Sequence, residues 1–143
     1  MTTDWRWWAL GSALFAALTA ILAKVGVTGV SSNLATAIRT AVILVFAWAL
    51  VWATGEARGV AALRARTWVF LALSGLATGL SWLCYFRALQ LGEASQVAPV
   101  DKLSVVFVLI LAALFLGEPF SWRHALGGSL IALGAVILAL KPV

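Results

Sequence analysis

Four ionisable side chains fall inside long apolar runs: Arg39, Arg87, Asp101 and Lys102. A charge at that depth is costly, so such groups pair with one another or mark a path for an ion or solute. Arg39 lies about six residues into its run, or roughly 9 Å at 1.5 Å per residue. Asp101 and Lys102 sit at a similar depth in a later run. Arg87 is about three residues from the end of its run, close enough to snorkel to the interface. Glu93 follows in the adjoining turn. If successive runs alternate in direction, all four charges come to one membrane face. Two readings stand side by side. In the structural one, Asp101 neutralises Arg39 or Arg87 and pins helices together, while Lys102 reaches the interface. In the functional one, the groups line a polar cavity that meets a solute. The local excess of cations favours an anionic or zwitterionic solute, whereas a solvated Asp101 would serve a proton or a cation. Trp82 and Tyr85 are candidate aromatic walls.

Pro99 stands two residues before Asp101. Inside a helix, proline removes one hydrogen bond and frees a carbonyl. Irregular backbone at depth is tolerated where it faces protein or a wet cavity. The alternative is a helix that begins near Pro99, with Ser95 and Gln96 left in the loop.

Other chemistry is poorly served. Cys84 is the one cysteine, set beside Tyr85 in an apolar run without a nearby histidine. It excludes an intrachain disulfide and any multi-cysteine metal site. His124 is the one histidine and follows Arg123 at a run boundary, where headgroup contact is expected. No phosphate-cradling GxxxxGK[ST] loop occurs. The reading is therefore non-enzymatic, with no cofactor and no metal.

The elements that position these residues follow from composition. Of 143 residues, 64% are apolar and 10% are charged, with a mean hydropathy of +1.06. A soluble domain carries about 25% charged residues. The chain reads as an all-α integral membrane protein and a single domain over 1–143, with spans at about 5–23, 34–53, 68–89, 95–116 and 122–140. Each approximates the 20 or so residues needed to cross a bilayer. Five such spans leave no room for a soluble domain and form one helical bundle. The first run exceeds the 7–15 apolar residues of a signal peptide and lacks a convincing cleavage site, so it is read as a retained span.

Punctuation sets the boundaries. Gly26, Gly29, Ser31, Ser32 and Asn33 separate spans one and two. Gly55, Glu56, Arg58, Gly59, Arg64 and Arg66 form the longest and most basic loop. Gly92 and Glu93 make a tight turn. Gly117, Glu118 and Pro119 stop span four, and Lys141 and Pro142 close the chain. Trp5, Trp7, Trp8, Trp52, Trp68 and Trp122 fall near span ends, as in an interfacial belt. Gly75 and Gly79 in span three, Ser12, Ala16 and Ala20 in span one, and Ala125, Gly128, Ala132 and Ala135 in span five are small-residue seams for close packing. Span five is the candidate subunit contact.

The net charge of +5 is scattered singly and in pairs, so it speaks for topology and against a nucleic-acid partner. With the N-terminus inside, Arg6, Arg58, Arg64, Arg66 and Arg123 lie inside, against Lys24 and Lys141 outside. Adding Arg39, Arg87 and Lys102 to the outer half balances the two sides. The first count gives a fixed N-inside topology. The second gives dual topology, with copies inserted both ways.

The stretch from Arg87 to Glu118 reads RALQLGEASQVAPVDKLSVVFVLILAALFLGE. It resembles the EamA family of the drug/metabolite transporter superfamily, in Ala88–Leu89 ending one span, Pro99 early in the next and Gly117–Glu118 closing it. The segment from Pro99 to Val106, PVDKLSVV, is similar to that of single-repeat members of about 140 residues. The resemblance implies one five-span repeat, half of a ten-span exporter built from two inverted repeats. Two copies in antiparallel orientation would rebuild the inverted pair as a ten-helix homodimer, with a cavity at the repeat interface. It also implies secondary transport of a small metabolite or drug-like solute, and the small-residue-rich spans and short loops suit a prokaryotic plasma membrane. Pro99, Asp101, Lys102, Gly117 and Glu118 are the positions it carries over, the last two as a helix stop. The alternative is a non-transporting subunit or scaffold that assembles with another membrane protein.

Overall fold

A computed structural model describes residues 4–140. Lys141 and Pro142, which enter the charge count and the expected chain end, lie outside the described residues. All elements among the described residues are helical. Helix α1 is Trp5–Gly26, α2 is Ser32–Ala53, α3 is Ala65–Leu91, α4 is Ala94–Asp101, α5 is Ser104–Leu111 and α6 is Trp122–Ala139. A short 3-10 helix, Glu56–Ala62, occupies most of the basic loop after α2. Taking α4 and α5 as one interrupted span, Ala94–Leu116, five helices are long and apolar enough to cross a membrane. The five expected spans are therefore present, and the chain is a multi-pass membrane protein.

Boundaries moved where polar residues turned out to be capping or first-turn residues. Span two begins at Ser32, because Ser31 takes the N-cap and its Oγ accepts the Leu34 N–H at 3.3 Å. Ser32 and Asn33, expected as linker, are in its first turn, where unpaired backbone N–H groups favour such side chains. Span three runs 27 residues, to about 40 Å at 1.5 Å per residue, so its ends outreach a hydrocarbon core of about 30 Å. Arg66, expected in the loop, is in its first turn.

Span four departs most from a regular helix. It begins at Ala94, close to the expected start at about 95, so the alternative of a start near Pro99 does not hold: Pro99 lies inside α4. Without a Pro99 N–H, the Ser95 carbonyl loses its helical donor. The chain then tightens. Lys102 N donates to Pro99 O at 3.1 Å, Leu103 N to Val100 O at 3.0 Å, and Val105 N to Lys102 O at 3.0 Å. These are three-residue closures of the 3-10 type, tighter than the α-helix on either side. The far end widens into a π turn, Ala112–Leu116. Gly117 takes a left-handed φ of 67°, and the N–H groups of Gly117 and Glu118 both reach the Ala112 carbonyl. Only glycine adopts that φ cheaply, so Gly117 ends the span as expected.

The chain divides into two compact units. One is Val25–Gln90; the other comprises Met1–Lys24 and Leu91–Val143. In the first unit, Phe86 and Leu89 are fully buried, and Thr36 is a buried polar residue. The Thr36 hydroxyl donates to the Ser32 carbonyl at 2.8 Å, so it is satisfied within its own helix. In the second unit, Lys24 Nζ donates to the Gly92 carbonyl at 2.8 Å, and α6 packs on α4 and α5. Gly128 and Ala135 of the span-five seam are buried. A Cβ on Gly128 would stand 3.4 Å from Leu109 Cδ1 and 4.0 Å from Val106 Cγ2, so this part of the seam is used within the chain. A Cβ on Gly75 or Gly79 would meet nothing within 4 Å. Long apolar side chains such as Trp8, Leu76 and Phe115 are exposed, as lipid-facing residues must be.

Candidate functional site

The expected site residues form two sets, one in each unit. In the Val25–Gln90 unit, the N-terminal half of α2 lies beside the C-terminal half of α3. Gln90, near the end of α3, fixes this register: its Nε2 donates to the Val30 carbonyl just before α2. Arg39 stands about two turns into α2, and Phe86 and Trp82 stand about one and two turns back along α3 from that tie. The Arg39 Cζ is 5.0 Å from the Trp82 ring centroid and 4.8 Å from that of Phe86. Both rings lie within cation–π range. Tyr85 is close enough to interact electrostatically with the same guanidinium. Trp82 and Phe86 are one helical turn apart, so both present to the same strip of α2.

Among the described residues, no carboxylate or carbonyl accepts a hydrogen bond from Arg39. Within its own unit, Asp101 makes its ion pair with Lys102. An arginine costs about 3 kcal/mol at the centre of a span on insertion scales and less toward its ends, where Arg39 lies. Aromatic faces recover part of that, about 2 kcal/mol when desolvated. They leave the five N–H donors without acceptors.

Arg87 differs. Its Nη1 donates to Gln90 Oε1 at 3.2 Å, and Gln90 in turn holds Val30. The side chain is exposed. Arg87 thus braces the glutamine that ties the two helices, and does not join the Arg39 cluster.

In the other unit, Asp101 is the last residue of α4 and Lys102 its C-cap. Lys102 Nζ is 3.1 Å from Asp101 Oδ2. Pro99 is two and three residues before them, and the tightened segment passes through both. The charged pair and the irregular backbone therefore coincide. Polar backbone and charge at membrane depth are tolerated together where they line a wet cavity or a protein contact.

His124 is placed as a capping residue: its Nδ1 accepts the Ser121 N–H at 3.3 Å, and its ring meets Phe120 edge-on at 6.0 Å. It also lines an apolar groove of about 270 Å³ with Val106, Leu109, Phe120 and Gly128. Cys84 is exposed on α3. Among the described residues, no cluster of histidine, cysteine, aspartate or glutamate has the makings of a metal site. The sequence reading missed the roles of Phe86 and Gln90. The i, i+4 spacing of Trp82 and Phe86, and the position of Gln90 eight residues after Trp82, were the available signals.

A family model described as the EamA-like transporter family matches residues 4–140. A protein of Sinorhizobium sp., called an uncharacterized transporter in the cobO 3' region, is 57% identical over 139 residues, spanning 97% of this chain and 99% of its own. A probable 4-amino-4-deoxy-L-arabinose-phosphoundecaprenol flippase subunit ArnE of Enterobacter sp. (strain 638) is 33% identical over 75 residues. That match spans 52% of this chain and 70% of the relative. No solved structure matches the chain.

Proposed function

The chain belongs to the EamA-like transporter family, and from that premise we propose that it is a small secondary transporter. Its cargo is a metabolite or drug-like solute, and its working form is a homodimer of antiparallel copies in a prokaryotic plasma membrane. The observation that carries this reading is the coincidence, in span four, of Pro99, the tightened backbone and the Asp101–Lys102 pair. Discontinuous helices with charged groups are how transporters of this kind present binding groups at depth.

The proposed pathway residues are Asp101 and Lys102 at that break, with Arg39, Arg87, Trp82 and Tyr85 on spans two and three. Asp101 is the group proposed to exchange a proton or hold the solute. Coupling to an ion gradient supplies the energy, since the sequence holds no phosphate-cradling loop. Asp101→Asn, reconstituted in vesicles, is expected to lower solute-driven proton flux to the level of empty vesicles while leaving the dimer intact. Flux equal to the unaltered protein would remove Asp101 from the pathway.

A second reading has its own support. The Enterobacter relative is described as a flippase subunit, which favours a chain that works only with an unlike membrane partner. Isolation of a stoichiometric second protein, with no transport by the chain alone, would establish that alternative.

A further inference from the structure

We propose that Arg39 is the attachment point for an oxyanion, a carboxylate or phosphate, carried by an amphipathic solute, with the part-exposed ring of Trp82 supporting its apolar body and the buried ring of Phe86 backing the guanidinium. The inference deepens the transport reading and rests on it for the word solute; the binding site itself stands on the geometry of α2 and α3.

Arg39 is a permanent cation placed about a third of the way along span two. Its surroundings attract its charge without using its donors. Two rings lie within 5.0 Å of Cζ, and no protein acceptor among the described residues meets its N–H groups. A guanidinium in that state is a planar fork awaiting two oxygens, the geometry that carboxylate and phosphate groups match bidentately. The rings fix the fork in advance, so little side-chain freedom remains to be lost on binding. The Gln90–Val30 bond fixes the register that sets Arg39 level with the rings. Thr36, one turn before Arg39, spends its hydroxyl on the Ser32 carbonyl and does not compete. An anion binding here removes an uncompensated charge from the bilayer. A cationic solute would meet a like charge and is excluded.

The acceptor has two possible sources, a soluble organic anion or the phosphate of a lipid headgroup. Nitrogen-15 spectra of the arginine Nε–Hε groups, recorded for the full chain in phosphatidylcholine nanodiscs, separate them. Phenyl phosphate and phenylacetate are expected to shift the Arg39 resonance saturably, and phenethylammonium is not. If substituting phosphatidylglycerol for part of the lipid produces the shift unaided, and the soluble anions fail to displace it, the oxyanion is a headgroup. Arg39→Lys keeps the charge and the fold but loses the fork, and is expected to weaken phenyl phosphate about tenfold or more. Arg39→Gln is expected to abolish the response. An Arg39 signal that ignores both anions and anionic lipid, or follows phenethylammonium equally, would overturn the inference. Solute-driven flux unaffected by Arg39→Gln would overturn it too, while sparing the transport reading. Saturable anion binding without flux would do the reverse.

Discussion

Arg39 and Gly128 show how single side chains acquire their roles from a neighbour helix. Arg39 was legible as a costly intramembrane charge, because hydropathy alone places it in a span. Its aromatic partners were not, since they depend on the rotation and register of α3, which the Gln90–Val30 hydrogen bond sets. Asp101 and Lys102 were legible as intramembrane charges but not as each other's partner, since the sequence set Asp101 against Arg39 or Arg87 and sent Lys102 to the interface, and the bracing of Gln90 by Arg87 looked like simple snorkelling. Gly128 carries a prediction at this scale. A side chain there meets Leu109 at once. Gly128→Leu is therefore expected to destabilise the fold by about 1–3 kcal/mol through overpacking, read as a lower thermal midpoint in detergent. Gly75→Leu, whose added Cβ meets open space, is the control and is expected to leave the monomer's midpoint unchanged.

At the scale of elements, the informative object is span four. Its apolar length announced one span, and Pro99 announced an irregularity. The location of the irregularity was less plain, because proline disturbs the turn around it and the preceding residues still have enough propensity to start the helix at Ala94. The result is α4, a tightened segment at the Asp101–Lys102 pair, then α5 and a π turn. Replacing Pro99 by alanine restores the missing N–H and removes the ring's clash with the Ser95 carbonyl. Pro99→Ala is expected to raise the thermal midpoint and to lose most transport activity, the usual exchange when a functional irregularity is regularised. A variant that gained stability and kept full transport would make the break incidental. The edges of spans two and three shifted for a related reason. Ser31, Ser32, Asn33 and Arg66 read as linker by polarity, yet Ser31 caps α2 and the other three stand in first turns of helices, where polar side chains are accommodated near the interface.

At the scale of the whole molecule, the spans, their number and the multi-pass character follow from composition, and the family match over residues 4–140 agrees with the motif from Arg87 to Glu118. What covers the exposed apolar faces is not written in one copy of the chain. Leu76, Leu80 and Phe115 satisfy lipid and a second subunit equally well, since neither demands a polar group. The charge distribution is the remaining signal. Arg58 and Arg64 in the segment between α2 and α3, with Arg66 in the first turn of α3, weigh toward one side of the membrane, and Arg39, Arg87 and Lys102 counted with Lys24 and Lys141 offset them.

That segment offers the most direct test of the central claim, that one five-span repeat transports by pairing with an inverted copy of itself. Cys84 would first be replaced by serine and a single cysteine placed at Gly59. Intact cells would then be treated with a membrane-impermeant maleimide from outside, and inverted vesicles in parallel. The account predicts that each treatment labels a substantial fraction of the protein and that the two fractions together approach the whole. Labelling confined to one side would contradict it, leaving a chain of fixed orientation that needs an unlike, oppositely inserted partner.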